Sequence, residues 1–275
     1  MNKINSRVAH ALARLRAEKP LINHITNLVV MNDTANVTLH LGALPVMTNF
    51  APEEAEMTRI SGALLLNVGM IDDAWVAAML AAGKQANALG IPIVLDPVGA
   101  GATKLRTETD LRLLRELRVQ IVRGNAGEIG VLSGMGGIVK GVESVEDLEN
   151  PIEAAKQLAH TTKAVVALSG KRDIITDGER VLGVDNGHVW LTTLTGTGCM
   201  ATTAIACFAA VEKDFLLAAT SALATYGLAA ELAASKAQGP ASFKVAFLDQ
   251  LYHLTPEQVA EGARIVDLTP KAPGA

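Results

Sequence analysis

The stretch Thr195-Gly196-Thr197-Gly198-Cys199-Met200-Ala201 sets two glycines, a hydroxyl and a thiol directly before an apolar helical run. Gly196 and Gly198 can take positive φ at little cost, so successive N–H groups can turn to one side. The helix that follows leaves its first N–H groups without intrahelical partners and carries partial positive charge at that end. Together these make an anion site, suited to phosphate or to a phosphoryl group in transfer. Cys199 falls in the first turn, where a thiol pKa is lowered and the sulfur could accept a proton. Two other readings stand beside this one. Residues 196–201 match the loose dinucleotide fingerprint with alanine in its last place, but that pattern needs a second strand bearing an acid about twenty residues on. Here the chain beyond Asp214 is rich in Ala and Leu and reads as helix. The third reading is a glycine helix start with a buried structural cysteine.

Other polar groups follow short apolar runs. Asp96 lies in Leu95-Asp96-Pro97-Val98-Gly99-Ala100-Gly101. A carboxylate at a strand end before a glycine turn suits a magnesium- or phosphate-facing role, or caps its turn. Asn125-Ala126-Gly127-Glu128 has an N-cap and an acid at the third helical position, a capping pattern that explains both residues locally. A magnesium role for Glu128 therefore needs support from elsewhere. Arg123, just before this turn, suits phosphate recognition, with a surface ion pair as the alternative. The Ser169 hydroxyl ends another apolar run and can meet a phosphate or cap a turn. No Walker loop, His-Glu-x-x-His, Cys-x-x-Cys or serine elbow is present. Of six scattered histidines, only His24 falls near this edge, while His160 and His188 read as surface residues.

The elements that must position these groups can be read from periodicity. Residues 5–16 form an amphipathic helix pattern, and 29–41 and 71–89 read as helices. Apolar runs at 21–22, 44–46, 63–66, 91–95, 119–122 and 164–168 each end in polar or special residues. Runs apolar on both faces are buried strands of a mostly parallel sheet, with the helices as crossovers. Asn150-Pro151 with Glu153 opens another helix. Ligands of such sheets bind outside the carboxyl ends of the strands, which gathers Asn67, Asp96, Arg123, Asn125, Glu128 and Ser169 along one edge. Asp177-Gly178 and Asn186-Gly187 are hairpin dipeptides. Residues 174–176, 181–184 and 188–191 are accordingly expected as antiparallel strands, followed by an almost wholly helical remainder with Pro240 and Pro256 as breaks. With no linker or repeat, residues 1–275 are expected to form one domain.

Composition bounds the function. The hydrophobic fraction of 49% supplies a core, and the net charge of −4 with 3% aromatics argues against nucleic-acid binding. Cys199 and Cys207 are too far apart along one helix to pair, which fits a reducing cytoplasm. Residues 216–234 are apolar enough to mimic a membrane span, but Thr220, Ser221, Thr225 and Glu231 favour a buried helix.

Taken together, the late Gly-x-Gly anion hole, Asn125-x-x-Glu128 and the Asp96 strand end resemble the ribokinase superfamily. Within it the chain is similar to the hydroxyethylthiazole kinase family of thiamin salvage. The similarity rests on Ile25-Thr26-Asn27 with Val29-Val30, Ala43-Leu44-Pro45-Val46-Met47, and Asp96 to Ala102. Arg123-Gly124-Asn125-Ala126-Gly127-Glu128, Thr195 to Cys199 and Tyr226-Gly227 complete it. The resemblance implies a three-layer α/β/α fold with a mostly parallel central sheet. It implies ATP-dependent phosphorylation of 4-methyl-5-(2-hydroxyethyl)thiazole, with magnesium, in a cytoplasmic homotrimer whose active sites lie between subunits. By the same resemblance Met47, Asn27 and Gly196 line the thiazole site, and Arg123 and Ser169, with Asn125, contact ATP. Asp96 and Glu128 manage magnesium and its waters, and Gly196, Thr197, Gly198 and Cys199 form the catalytic turn.

Cys199 stands where most of the superfamily has an aspartate base, Ser169 replaces the usual threonine, and Asn23 intervenes before His24. His24 is for that reason left outside the site. Because a loose phosphoryl transition state needs positioning and charge neutralisation more than a strong base, Cys199 is expected to orient the hydroxyl and assist modestly. The alternatives are a kinase for another small alcohol, such as hydroxymethylpyrimidine or a sugar, and a nucleotide-binding protein without catalysis.

Overall fold

A computed structural model of the chain describes residues 3–136, 139–140, 143–144 and 148–270. The first half runs α1 (Lys3–Glu18), β1 (Leu21–Ile25), α2 (Met31–Leu41), β2 (Leu44–Met47), α3 (Ala51–Arg59), β3 (Ala63–Asn67), α4 (Asp73–Leu89), β4 (Ile93–Asp96) and α5 (Lys104–Glu116). Then come β5 (Ile121–Asn125), α6 (Ala126–Ser133), the two-residue strands β6 (Val139–Lys140) and β7 (Glu143–Ser144), α7 (Pro151–Thr162), β8 (Val165–Ser169), β9 (Asp173–Thr176) and β10 (Val181–Val184). A 3₁₀ turn (Val189–Thr193) precedes α8 (Thr197–Val211), α9 (Phe215–Ala234), α10 (Pro240–His253), α11 (Pro256–Gly262) and β11 (Ile265–Asp267).

Nine strands form one sheet in the order β11-β10-β9-β8-β5-β4-β3-β1-β2. The pairs from β2 through to β8 are parallel, and β8–β9, β9–β10 and β10–β11 are antiparallel. Alternation along the buried strands builds the layers. Ala63, Leu65, Val94 and Ile121 face a core made with α1, α2, α8, α9 and α10. Leu64, Leu66, Ile93, Leu95 and Val122 face the opposite core with α4 to α7. The three layers follow because each strand is apolar on both faces and needs a helix on each.

The topology places a crevice. From β1 the chain goes to β2 on one side, and then returns to β3 on the other side of β1. Crossovers that diverge from a strand leave a gap outside its carboxyl end. Asn27, just past β1, and Asn67, the last residue of β3, stand at this switch point.

Two expectations fail. Residues 188–191 are not a strand: His188 Nδ1 accepts the Trp190 N–H at 3.2 Å, and the Thr192 and Thr193 hydroxyls donate back to the Val189 and Trp190 carbonyls. These local bonds make a 3₁₀ turn out of polar groups that a strand would leave open. The place beside β10 is instead filled by the three-residue β11, while the remainder of the described chain after the turn is almost wholly helical, as expected. Asp177-Gly178 does turn the β9–β10 hairpin, with Gly178 at φ +101°, whereas Gly187 donates its N–H to Glu231 rather than closing a hairpin. Helix α9 is long and apolar enough to cross a membrane, and 83% of its apolar window is buried inside the protein.

Candidate active site

The glycine turn is built as expected at Gly196, whereas Gly198 lies in the first turn of α8 without a positive φ. Gly196 is the N-cap of α8 at φ +81°, a conformation L side chains rarely adopt, and a Cβ there would lie 2.5 Å from Val30 Cγ1. A Cβ on Gly198 would lie 2.6 Å from Arg123 Nη1, so the missing side chain is what lets a guanidinium lie against the helix start. The Thr197 hydroxyl is committed to the Leu191 carbonyl at 2.9 Å, and Tyr226 of α9 donates to the Thr197 carbonyl at 2.9 Å. Thr197 thus offers its N–H, not its side chain, to an anion.

Opposite the turn, Arg123 reaches from β5. Its Nη2 donates to Ser169 Oγ at 2.6 Å across the β5–β8 pair. Its Nη1 stands 3.9 Å from Asp96 Oδ1, and its buried Nε has no protein partner. A mostly buried guanidinium with donors left over beside a helix N-terminus is a receptor for phosphate oxygens.

Asp96 ends β4 and is buried. Its Oδ2 accepts from Asn67 Nδ2 at 2.8 Å, while Oδ1 has no hydrogen bond. Burial raises its carboxyl above the ordinary value, and the Arg123 charge opposes that shift. Glu128 is buried as well, with Oε1 accepting the Gly99 N–H at 2.8 Å and Oε2 the Asn125 N–H at 2.9 Å. Asn125 Oδ1 accepts the Glu128 N–H in return, which completes the capping box read from the sequence. Burial, and then the Asp96 charge, raise the Glu128 carboxyl to about 7. Asp96 Oδ1 is buried without a hydrogen bond and faces Arg123 Nη1 at 3.9 Å, while both oxygens of Glu128 already hold the loops after β4 and β5. Among the described residues no set of three His, Cys, Asp or Glu side chains converges to hold a metal by itself. That fits magnesium, which binds through one or two carboxylates, substrate phosphates and retained waters.

Asn67 was placed at this edge by its strand end, but its importance appears only in three dimensions. Its Nδ2 donates to Asp96 Oδ2 and to Cys199 Sγ at 3.2 Å, and its Oδ1 accepts from Asn27 Nδ2 at 2.8 Å and from the Gly69 N–H at 2.9 Å. Both hydrogens and both lone pairs are engaged, so the amide has one setting. Nothing short of the strand pairing could have revealed this junction.

Cys199 corrects an expectation. The thiol pKa is not lowered but strongly raised, first by burial and then by the Asp96 charge. The sulfur sits near two amide donors, with Asn27 Nδ2 at 3.9 Å. Met47 ends β2 in register with His24, half-buried at the sheet edge, and no described contact joins it to Cys199. His24 is fully buried against Thr38 Oγ1 at 3.2 Å, and burial lowers its pKa to about 3. Two surface concavities, along α10 and between α4 and α5, are lined by none of these residues.

Fold and site together define a ribokinase-like phosphotransferase that acts on an alcohol. A pyridoxal kinase from Staphylococcus aureus, solved with pyridoxal, shares the fold at a TM-score of 0.57 and 18% identity, over 75% of this chain and 85% of that one. The chain belongs to the hydroxyethylthiazole kinase family, whose model matches residues 12–257. It is 68% identical to a hydroxyethylthiazole kinase of Roseiflexus sp. (strain RS-1), over 97% of this chain and 99% of the relative. The structure of a hydroxyethylthiazole kinase protein from Pyrococcus horikoshii OT3 superposes with a TM-score of 0.88 at 42% identity, covering 95% of this chain and 99% of that one.

Proposed function

We propose that the protein transfers the terminal phosphoryl group of ATP to the primary hydroxyl of 4-methyl-5-(2-hydroxyethyl)thiazole, in thiamin salvage. The observation that carries this reading is the Asn67 amide joining Asp96 and Cys199 in front of the α8 N-terminus, with Arg123 across from it. Arg123 and Ser169 receive ATP phosphates, with Asn125 shaping the adjoining helix start. Asn27, Gly196 and Met47 line the alcohol site. Asp96, through the Oδ1 that has no hydrogen bond, would hold magnesium, and Glu128 would reach it through water, since its oxygens already accept N–H groups. When bound, the ion supplies neutralisation of phosphate charge.

The chain's own groups do the rest. The first N–H groups of α8 and the Arg123 guanidinium face the charge spread over the phosphoryl oxygens and the charge that develops on the leaving phosphate oxygen. Cys199 stays a thiol and orients the alcohol through a weak sulfur hydrogen bond, without generating an alkoxide. In a loose transition state the hydroxyl proton leaves late and passes to an oxygen of the transferred phosphoryl group, so this is sufficient. The chain works as one domain in the cytoplasm, a reading that its two free, buried cysteines support. The functional unit is a homotrimer with the alcohol site between subunits. The exposed apolar residues Leu28, Val29, Leu44 and Phe50, gathered around edge strand β2 and the turn after β1, support that assembly. Sedimentation equilibrium at a single protomer mass would rule it out.

The test of the activity is magnesium-dependent ADP release with hydroxyethylthiazole, hydroxymethylpyrimidine and ribose offered in parallel. Turnover is expected with the thiazole alone, and turnover confined to either other alcohol would overturn the assignment.

A further inference from the structure

One side chain that the mechanism does not use holds both loops that carry Asn67 and Asp96. Arg106 lies in the first turn of α5, where Thr103 Oγ1 caps the helix by accepting the Arg106 N–H at 3.3 Å. Its guanidinium reaches back across the strand ends. Nη1 donates to the Val68 carbonyl at 2.7 Å and to the Val98 carbonyl at 2.9 Å, and Nη2 donates to the Gly69 carbonyl at 2.8 Å. All three acceptors are main-chain atoms, and they lie within two residues of Asn67 or Asp96, just past β3 and β4.

Local stability does not account for an arginine at this place. The first turn of α5 contains Lys104 and Arg106 and no acid, although cations oppose the helix dipole at an N-terminus by about 0.3–1 kcal/mol each. Among the described residues no carboxylate lies within ion-pair distance of Arg106. Asp110, one turn further along α5, feels the Arg106 charge, yet it is fully buried with neither oxygen hydrogen-bonded. The guanidinium is instead fitted to three carbonyls.

From Gly69 the contact passes straight to the reacting centre. The Gly69 N–H donates to Asn67 Oδ1, and a Cβ on Gly69 would lie 2.5 Å from Asn27 Nδ2. Arg106 therefore holds the peptide between Val68 and Gly69 by its oxygen while Asn67 Oδ1 accepts from its N–H, and a second Arg106 bond fixes the next carbonyl. The fully bonded Asn67 amide has no other way to adjust.

We infer that Arg106 is a positioning residue for phosphoryl transfer: its fork sets the Val68, Gly69 and Val98 peptides, and through them the angle at which the Asn67 amide meets Asp96 and Cys199. The inference rests on the kinase reading, and it assigns Arg106 no contact with ATP or the alcohol. Displacement of reacting groups by about 1 Å costs on the order of 100-fold in rate, so the effect belongs in kcat.

The decisive variant is Arg106→Lys, which keeps the positive charge beside Asp110 and loses the fork. We expect kcat to fall about 10–100-fold while KM for ATP and for the alcohol stays within about threefold. Alkylation of Cys199 by iodoacetamide gives a readout that needs no turnover, with fully buried Cys207 as the internal reference. Its rate, slow in the wild type because the thiol is buried and keeps its proton, should rise by at least about threefold in the variant, because Asn67 no longer holds the sulfur in one setting. Arg106→Gln, which can reach one carbonyl only, should behave alike and serves if the lysine variant does not fold. Unchanged kcat, a change confined to KM, or a lower kcat with an unaltered Cys199 alkylation rate would overturn the inference. Wild-type protein silent toward the thiazole would instead sink the kinase reading, and the alkylation comparison would still decide the clamp.

Discussion

At Cys199 two consequences of a helix start oppose each other. The dipole favours a thiolate by about 0.3–1 kcal/mol, whereas taking a charge out of water costs several kcal/mol. Burial wins, and the Asp96 carboxylate adds to it, so the thiol holds its proton. It follows that Cys199→Ser, which keeps a small polar group in place, should retain kcat within about tenfold, below the 100-fold or greater loss expected for removal of a general base. Steady-state kinetics check this, and a thousandfold fall in kcat at constant KM would make the sulfur the base after all. Local geometry was legible where a motif fixes it: Gly196 takes the left-handed turn and Asn125 with Glu128 closes the capping box, whereas Gly198 joins the helix without a positive φ. The state of the thiol was not, because burial depends on how much protein covers the turn. Thr197 shows the same limit, since its hydroxyl turns back to Leu191, a partner no local pattern announces.

Elements place these groups through close approach, and two glycines separate activity from packing. On α8, a methyl at Gly198 would press on the tip of Arg123, a flexible side chain that can withdraw. On α9, a methyl at Gly227 would run into the Asn186 carbonyl, which is main chain and cannot. Gly198→Ala should therefore leave thermal stability nearly unchanged and lower kcat about 100-fold by moving a charge-stabilising donor. Gly227→Ala should destabilise by about 1–3 kcal/mol through overpacking. Thermal melts set beside turnover numbers distinguish them, and the reverse assignment of losses would refute the placement of Arg123. Parallel strands and crossover helices were legible because each is a continuous pattern of its own. The segment at 188–191 was misread because alternation alone cannot see that His188, Thr192 and Thr193 satisfy the backbone locally.

For the whole molecule, the order of motifs along the chain indicated the fold, but not which strands become neighbours. Strand β11 pairs with β10 from far along the sequence, and Asn27 and Asn67 meet only because the chain reverses direction around β1. The same global packing encloses acids that the unfolded chain would expose, and this gives stability a pH dependence. Asp173, half-buried at the start of β9, accepts the Gly170 N–H at 3.0 Å, and desolvation by the surrounding chain raises its carboxyl from 3.8 to about 7. Between those values the folded protein holds a proton that the unfolded chain has lost. The contribution of Asp173 to stability is therefore complete below about pH 4 and disappears as pH rises through about 7. Asp173→Asn keeps an oxygen for Gly170 and cannot ionise. Its melting temperature should match wild type near pH 4.5 and exceed it by several degrees at pH 8, with the difference opening steadily between. Melts across that range are the check, because a variant less stable than wild type at pH 8 would show that the Asp173 charge is stabilised by Arg123 more strongly than burial penalises it.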